Sequence, residues 1–172
     1  MLRLRKILLT GFSILTLLML IATWYKLEFS MQLAEEYQLN SVDHARSLII
    51  ATQGSDFKNS ISTAIVNRYK EDSIFIKVID ISSLPDVQPE KPTAILLIHT
   101  WENWKPPLEV KEFIERSSDH LEKIAVLTTS GEGSYKMETI DAITGESKLE
   151  DSDFYIKQII EKLDPLLNYK YQ

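Results

Sequence analysis

The chain has 172 residues, 44% hydrophobic and 26% charged, with a net charge of −6 and no cysteine. The missing thiols exclude disulfides, a cysteine nucleophile, cysteine-held iron–sulfur clusters and a lipid-modified cysteine anchor. Arg3, Arg5, Lys6 and Lys26 precede every acidic residue; the other 15 basic residues then face 25 acidic ones, a net of −10. Such a surface disfavours nucleic acid and anionic lipid and favours basic partners.

Ile7–Tyr25, ILLTGFSILTLLMLIATWY, runs 19 residues without a charge. At about 1.5 Å per residue it reaches about 28 Å, the hydrocarbon thickness of a bilayer. The basic residues ahead of it predict a single-pass anchor in the cell membrane, with a cytoplasmic N-terminus and the rest of the chain extracytoplasmic. A cleaved signal peptide is the competing reading, but the run exceeds the usual ~7–15 residues and no small-x-small cleavage site follows it. Residues 1–26 are therefore read as N-terminus and anchor. Residues 27–46, with few turn signals and apolar residues near helical spacing, read as a helical stalk that breaks at Asn40-Ser41. Residues 47–172 are long enough for one domain with its own core.

Within that domain the spacing predicts a buried strand over 47–52, a helix over 60–70 and a strand over 74–80 whose partial alternation marks an edge. A wholly apolar strand over 93–100 and a helix over 108–117 follow, the helix entered through Pro106-Pro107. Next come a buried strand over 123–128, a fifth, edge strand over 137–143 ending at Thr144-Gly145, and a closing helix over 151–169. Continuous apolar strands alternating with amphipathic helices predict an α/β fold with a doubly wound parallel sheet. Only eight residues separate Thr128 from Met137, short of the dozen a parallel crossover normally takes. A fourth helix is therefore missing or very short.

Ser47–Ala64, SLIIATQGSDFKNSISTA, is the stretch with most to say about function. A strand delivers the chain into Gly54-Ser55, and Ser60 stands where a helix N-cap would, its side-chain oxygen free to accept the first N–H groups. Such a turn at the carboxyl edge of a parallel sheet attracts phosphate. The plainer alternative is a capped turn that binds nothing. His99, at a strand end, reads as capping the following loop or bonding a ligand. His44 and His120 have no metal-ligand spacing around them. Ser55, Ser60 and Ser130 lack a Gly-x-Ser-x-Gly setting or a base, which excludes hydrolysis.

Three loops together resemble those of the flavodoxin-like superfamily, its flavin mononucleotide (FMN) and quinone reductases in particular. QGSDFKNSIS at 53–62 is similar to the Gly-Ser-Pro-Arg-x-x-Ser phosphate loop, HTWENWKPPLEVKEFIE at 99–115 to the second flavin loop, and TTSGEGSY at 128–135 to the third. The resemblance spans residues 47–167 and implies strand order 2-1-3-4-5 with non-covalently bound FMN at the carboxyl edge. It implies that Gly54, Ser55, Asn59, Ser60 and Ser62 hold the phosphate, with Lys58 offsetting Asp56. Trp101 or Trp104 would stack on one ring face and Tyr135 on the other. Backbone groups from Thr100 to Asn103 would tune the ring's potential, and Ser130, Gly131 and Gly133 would shape the third loop. The chain departs from the pattern at Asp56-Phe57, which replaces Pro-Arg, and in Glu102 and Glu132 beside the ring position. IDAITGES at 140–147 resembles the Asp-Ala-(Ile/Val)-Thr-Gly-Ala-Thr stretch of exported flavin-binding proteins, where a threonine carries flavin covalently. Glu146-Ser147 replaces Ala-Thr, so a turn closing the last strand is the expectation.

Two functions follow. One is a membrane-anchored flavoprotein exchanging electrons with a membrane or surface partner; the other is a domain that has lost flavin and serves as a protein-binding or assembly module. A nicotinamide-dependent quinone or azo reductase is a weaker third, because such donors are scarce outside the cytoplasm.

Overall fold

The computed structural model describes residues 2–29 and 31–167, and the chain divides into two compact units between Met31 and Gln32. The first is one helix, α1 (Leu2–Phe29). Its stretch Arg5–Trp24 has a mean hydropathy of 2.1 and is long and apolar enough to cross a membrane. Thr10, Thr16 and Thr23 each donate their hydroxyl to the carbonyl four residues back, at 2.8–2.9 Å. That bond satisfies the hydroxyl inside an apolar segment. From Met31 on, the expected stalk over 27–46 is not helical. Residues 32–36 form an extended strap, and β1 (Tyr37–Leu39) pairs with the sheet.

The second unit is built on a six-stranded sheet. After β1 come β2 (Arg46–Thr52), α2 (Asp56–Tyr69), β3 (Ile74–Asp80) and β4 (Ala94–Thr100). Then follow α3 (Leu108–Arg116), β5 (Ile124–Thr129), β6 (Ile143–Gly145) and α4 (Ser152–Leu166). The order across the sheet is β1-β3-β2-β4-β5-β6. Its five parallel strands run in the expected 2-1-3-4-5 order, and β1 adds an antiparallel sixth beside β3. So IFIKVID is an interior strand. Its alternation reports a face left partly open at Phe75 and Lys77, not a free edge.

Both sheet faces are covered. Leu48, Ile50, Ile76, Leu96 and Leu127 meet α2 and α4 on one side; Ile79, Leu97 and Val126 meet α3 on the other. Helix α2 begins at Asp56, not Ser60, and its N-cap is Ser55, whose hydroxyl accepts from the Lys58 N–H. The reason is packing. Phe57, Ile61 and Ile65 recur every four residues and all three face the core, so the apolar stripe pulls the helix start forward by a turn. Residues 130–142 carry turns and no helix, and the strand expected over 137–143 shrinks to Ile143–Gly145. The closing helix ends at Leu166; residues 168–169 of the expected helix lie outside the described residues.

Candidate functional site

In a doubly wound sheet ligands sit at the carboxyl edge where the strand order reverses, here between β2 and β4. The chain leaves β2 through Gln53-Gly54-Ser55 and β4 through Thr100-Trp101. Gln53 is buried and its side-chain oxygen accepts from the Thr100 N–H at 2.8 Å, tying the two exits together. Thr100 and Thr129 share a hydroxyl hydrogen bond of 2.7 Å, and Ser147 donates to Thr129 at 2.8 Å. This chain of hydroxyls links the ends of β4, β5 and β6.

The strap closes the β2 exit. Gln32 and Gly54 form an antiparallel bridge, with the Gly54 N–H donating to the Gln32 carbonyl at 2.7 Å. Asp80, at the end of β3, accepts from the Ala34 N–H at 2.8 Å. Glu36 accepts from the Asp80 N–H at 3.0 Å and from the Ser83 hydroxyl at 2.6 Å. A Cβ on Gly54 would lie 2.6 Å from the Leu33 carbonyl oxygen. Glycine is needed here for space rather than for its dihedrals.

Two of the phosphate residues implied by the family resemblance, Gly54 and Ser55, are therefore engaged elsewhere. The Gly54 amide is bonded to the strap, and the Ser55 hydroxyl caps α2. Asn59, Ser60 and Ser62 lie within α2, where the Ser62 hydroxyl donates to the Asn59 carbonyl at 3.2 Å. Lys58 points inward and is fully buried. Burial pulls its ammonium down from 10.5 to about 8, while the charge of Glu102 opposes the fall. Nearby His99 is buried too, its Nε2 3.0 Å from the Thr128 hydroxyl. Burial first, and the Lys58 charge second, lower it from 6.5 to about 4, against a raising contribution from the Thr100 backbone.

His99 gives the domain an acid-labile point. The unfolded chain takes up this proton below pH 6.5 and the folded one only near 4, so the unfolded state binds more protons between the two. Stability is expected to fall as pH drops through that window. A lower melting midpoint at about pH 5 than at about pH 7, with a smaller difference in His99→Gln, checks it.

The ring-binding residues do come together. Trp101, Asn103, Trp104, Ser130, Gly131 and Tyr135 line one cleft of about 290 Å³, with Glu132 at its side. Asn103 and Trp104 are the tip of a tight hairpin turn closed by Glu102 and Lys105, both at positive φ (51° and 60°). That turn favours Asn-Gly; a tryptophan there holds strain, and Trp104 is 75% exposed. In the third loop Gly133 adopts φ 66° in a turn back to Ser130, whose N–H donates to the Gly145 carbonyl. Gly145, the last residue of β6, packs against Tyr155.

The gap between Trp101 and Tyr135 is closed in this structure. Trp101 and Tyr135 stack on each other, centroids 5.3 Å apart and planes within 5°, whereas a ring held between them needs about 7 Å, two carbon contact distances. Two buried polar atoms in the cleft, Trp101 Nε1 and Ser130 Oγ, have no hydrogen-bond partner among the described residues. Sequence reasoning missed Gln53 and the strap, because the near-helical spacing of apolar residues in 27–46 reads as a helix instead. No group of histidine and acidic residues among the described residues has the arrangement of a metal site.

No family model and no curated protein matches the sequence. Solved structures do. The metal-soaked flavodiiron core Flv1 of Synechocystis sp. PCC6803 is 8% identical over 74% of this chain, with a TM-score of 0.54. The match covers 38% of that protein's length. An archaeal flavodoxin (14% identical, 70% of this chain and 98% of its own, TM-score 0.47) is also similar. So is the rubredoxin:oxygen oxidoreductase of Desulfovibrio gigas (8%, 72% and 36%, 0.48). At these identities the likeness concerns the fold, and the first match carries it. With its five parallel strands in the order 2-1-3-4-5, the domain that begins at Gln32 has a flavodoxin-like fold.

Proposed function

We propose that this protein is a membrane-tethered flavodoxin-like module that binds a partner protein and holds no FMN at the superfamily's usual position. The observation that carries the reading is the closure of the phosphate turn: the Gly54 amide bonds Gln32, and the space beside Gly54 is filled by the strap backbone. An anion arriving there meets Asp56 in the first turn of α2 and a helix end already capped by Ser55. The tether is α1, with Arg3, Arg5 and Lys6 keeping the N-terminus cytoplasmic and the domain outside.

The second reading, an FMN protein exchanging electrons with a membrane or surface partner, is favoured by the unpaired Trp101 Nε1 and Ser130 Oγ beside an aromatic cleft. Buried donors without acceptors are costly and ask for a ligand. One test separates the two. The full chain, purified in detergent, is incubated with excess FMN, desalted, and its visible absorption recorded. A colourless protein is expected; a retained flavin spectrum at one per chain would establish the second reading.

A further inference from the structure

Parallel crossovers in this fold are normally covered by a helix, yet residues 130–142 connect β5 to β6 without one. Beside α3, where that helix would pack, lies a groove of about 700 Å³. Its apolar lining includes Trp101, Pro106, Leu108 and Met137, and Lys105, Lys111 and Lys136 stand exposed around it. Glu115 also lines it, held by Lys111 at 3.7 Å, as does Glu138. On a region carrying −10, three lysines round one apolar groove call for an occupant both apolar and acidic.

The chain itself presents such an element. Leu149 and Phe154, at the start of α4, are 59% and 64% exposed, and Glu150, Asp151 and Asp153 between them are exposed as well. The groove lies beside α3, while α4 packs on the opposite face of the sheet. One copy therefore cannot fill its own groove.

We infer that the groove beside α3 takes the Leu149–Phe154 segment of a second copy of this chain, apolar side chains inward and acids against the three lysines. The contact joins two different surfaces, so it is heterologous and runs from copy to copy into a closed ring or an open filament. It is independent of whether the cleft at the carboxyl edge binds FMN.

The test is sedimentation of the full chain in detergent micelles over a range of concentrations. Lys105→Glu/Lys111→Glu/Lys136→Glu in one variant, and Glu150→Lys/Asp151→Lys/Asp153→Lys in another, should each weaken self-association by about tenfold or more. All six side chains are exposed, and an unchanged melting midpoint verifies folding. Mixing the two variants should restore association, because each reversed groove then meets a reversed segment; α1 alone would not produce that rescue. A monomeric wild type, association that survives both reversals, or a mixture that stays monomeric would each overturn the inference.

Discussion

Lys58→Met is expected to abolish a rise in the stability of the domain of up to about 3 kcal/mol between about pH 8 and 10.5, the free energy of a shift from 10.5 to about 8 at about 1.4 kcal/mol per unit. A lysine fully buried at the start of α2 is an unusual choice. Burial works against its charged form, and the charge of Glu102 works for it. The sign with pH follows from the same shift. Between about 8 and 10.5 the unfolded chain keeps this proton while the folded chain gives it up, so wild-type stability should rise with pH across that window. Below it both states are charged and the full penalty stands. Chemical denaturation of the full chain at several pH values checks both claims. Wild type should show the alkaline rise and Lys58→Met should not. It should also lift the pKa of His99, which the Lys58 charge helps to depress.

Gly54→Ala should cost about 3 kcal/mol, the upper part of the range for forcing an extra carbon into filled space. The new Cβ meets two carbonyl oxygens of the strap, Leu33 at 2.6 Å and Gln32 at 2.8 Å. Backbone atoms cannot rotate aside as a side-chain end can, so the strap itself must lift. The Gly54–Gln32 hydrogen bond would go with it. Limited proteolysis should then show faster cleavage within residues 31–36 of the variant than of wild type. Equal cleavage and unchanged stability would mean that the strap does not rest on Gly54.

Much of the sheet is readable from the chain because it is buried on both faces. RSLIIAT, AILLIHT and IAVLTT are continuous apolar runs, and the strands fall within a residue of where those runs predict them. The start of α2 was also within reach. The four-residue spacing of Phe57, Ile61 and Ile65 marks it, but three serines in eight residues offered rival caps and Ser60 looked as good as Ser55. Strand β1 was not legible. Three residues, Tyr37–Leu39, are held by backbone hydrogen bonds to β3 and by no apolar pattern of their own. The candidate site divides in the same way. Residue types and loop order announced an aromatic cleft, which Trp101, Trp104 and Tyr135 do line. That Trp101 would stack on Tyr135, and that residues 32–34 would occupy the phosphate turn, depend on contacts far apart in the chain. Local spacing does not encode those.

Hydrogen–deuterium exchange on the full chain, with and without FMN at about 100 μM, where a micromolar site is saturated, tests the closed phosphate turn most directly. Slow exchange at Ala34 and Gly54, unchanged by FMN, is the predicted result. Fast exchange in residues 32–36 and 53–57 that becomes slow when FMN is added would contradict it, and would mean that the strap is open in solution and the turn binds the cofactor.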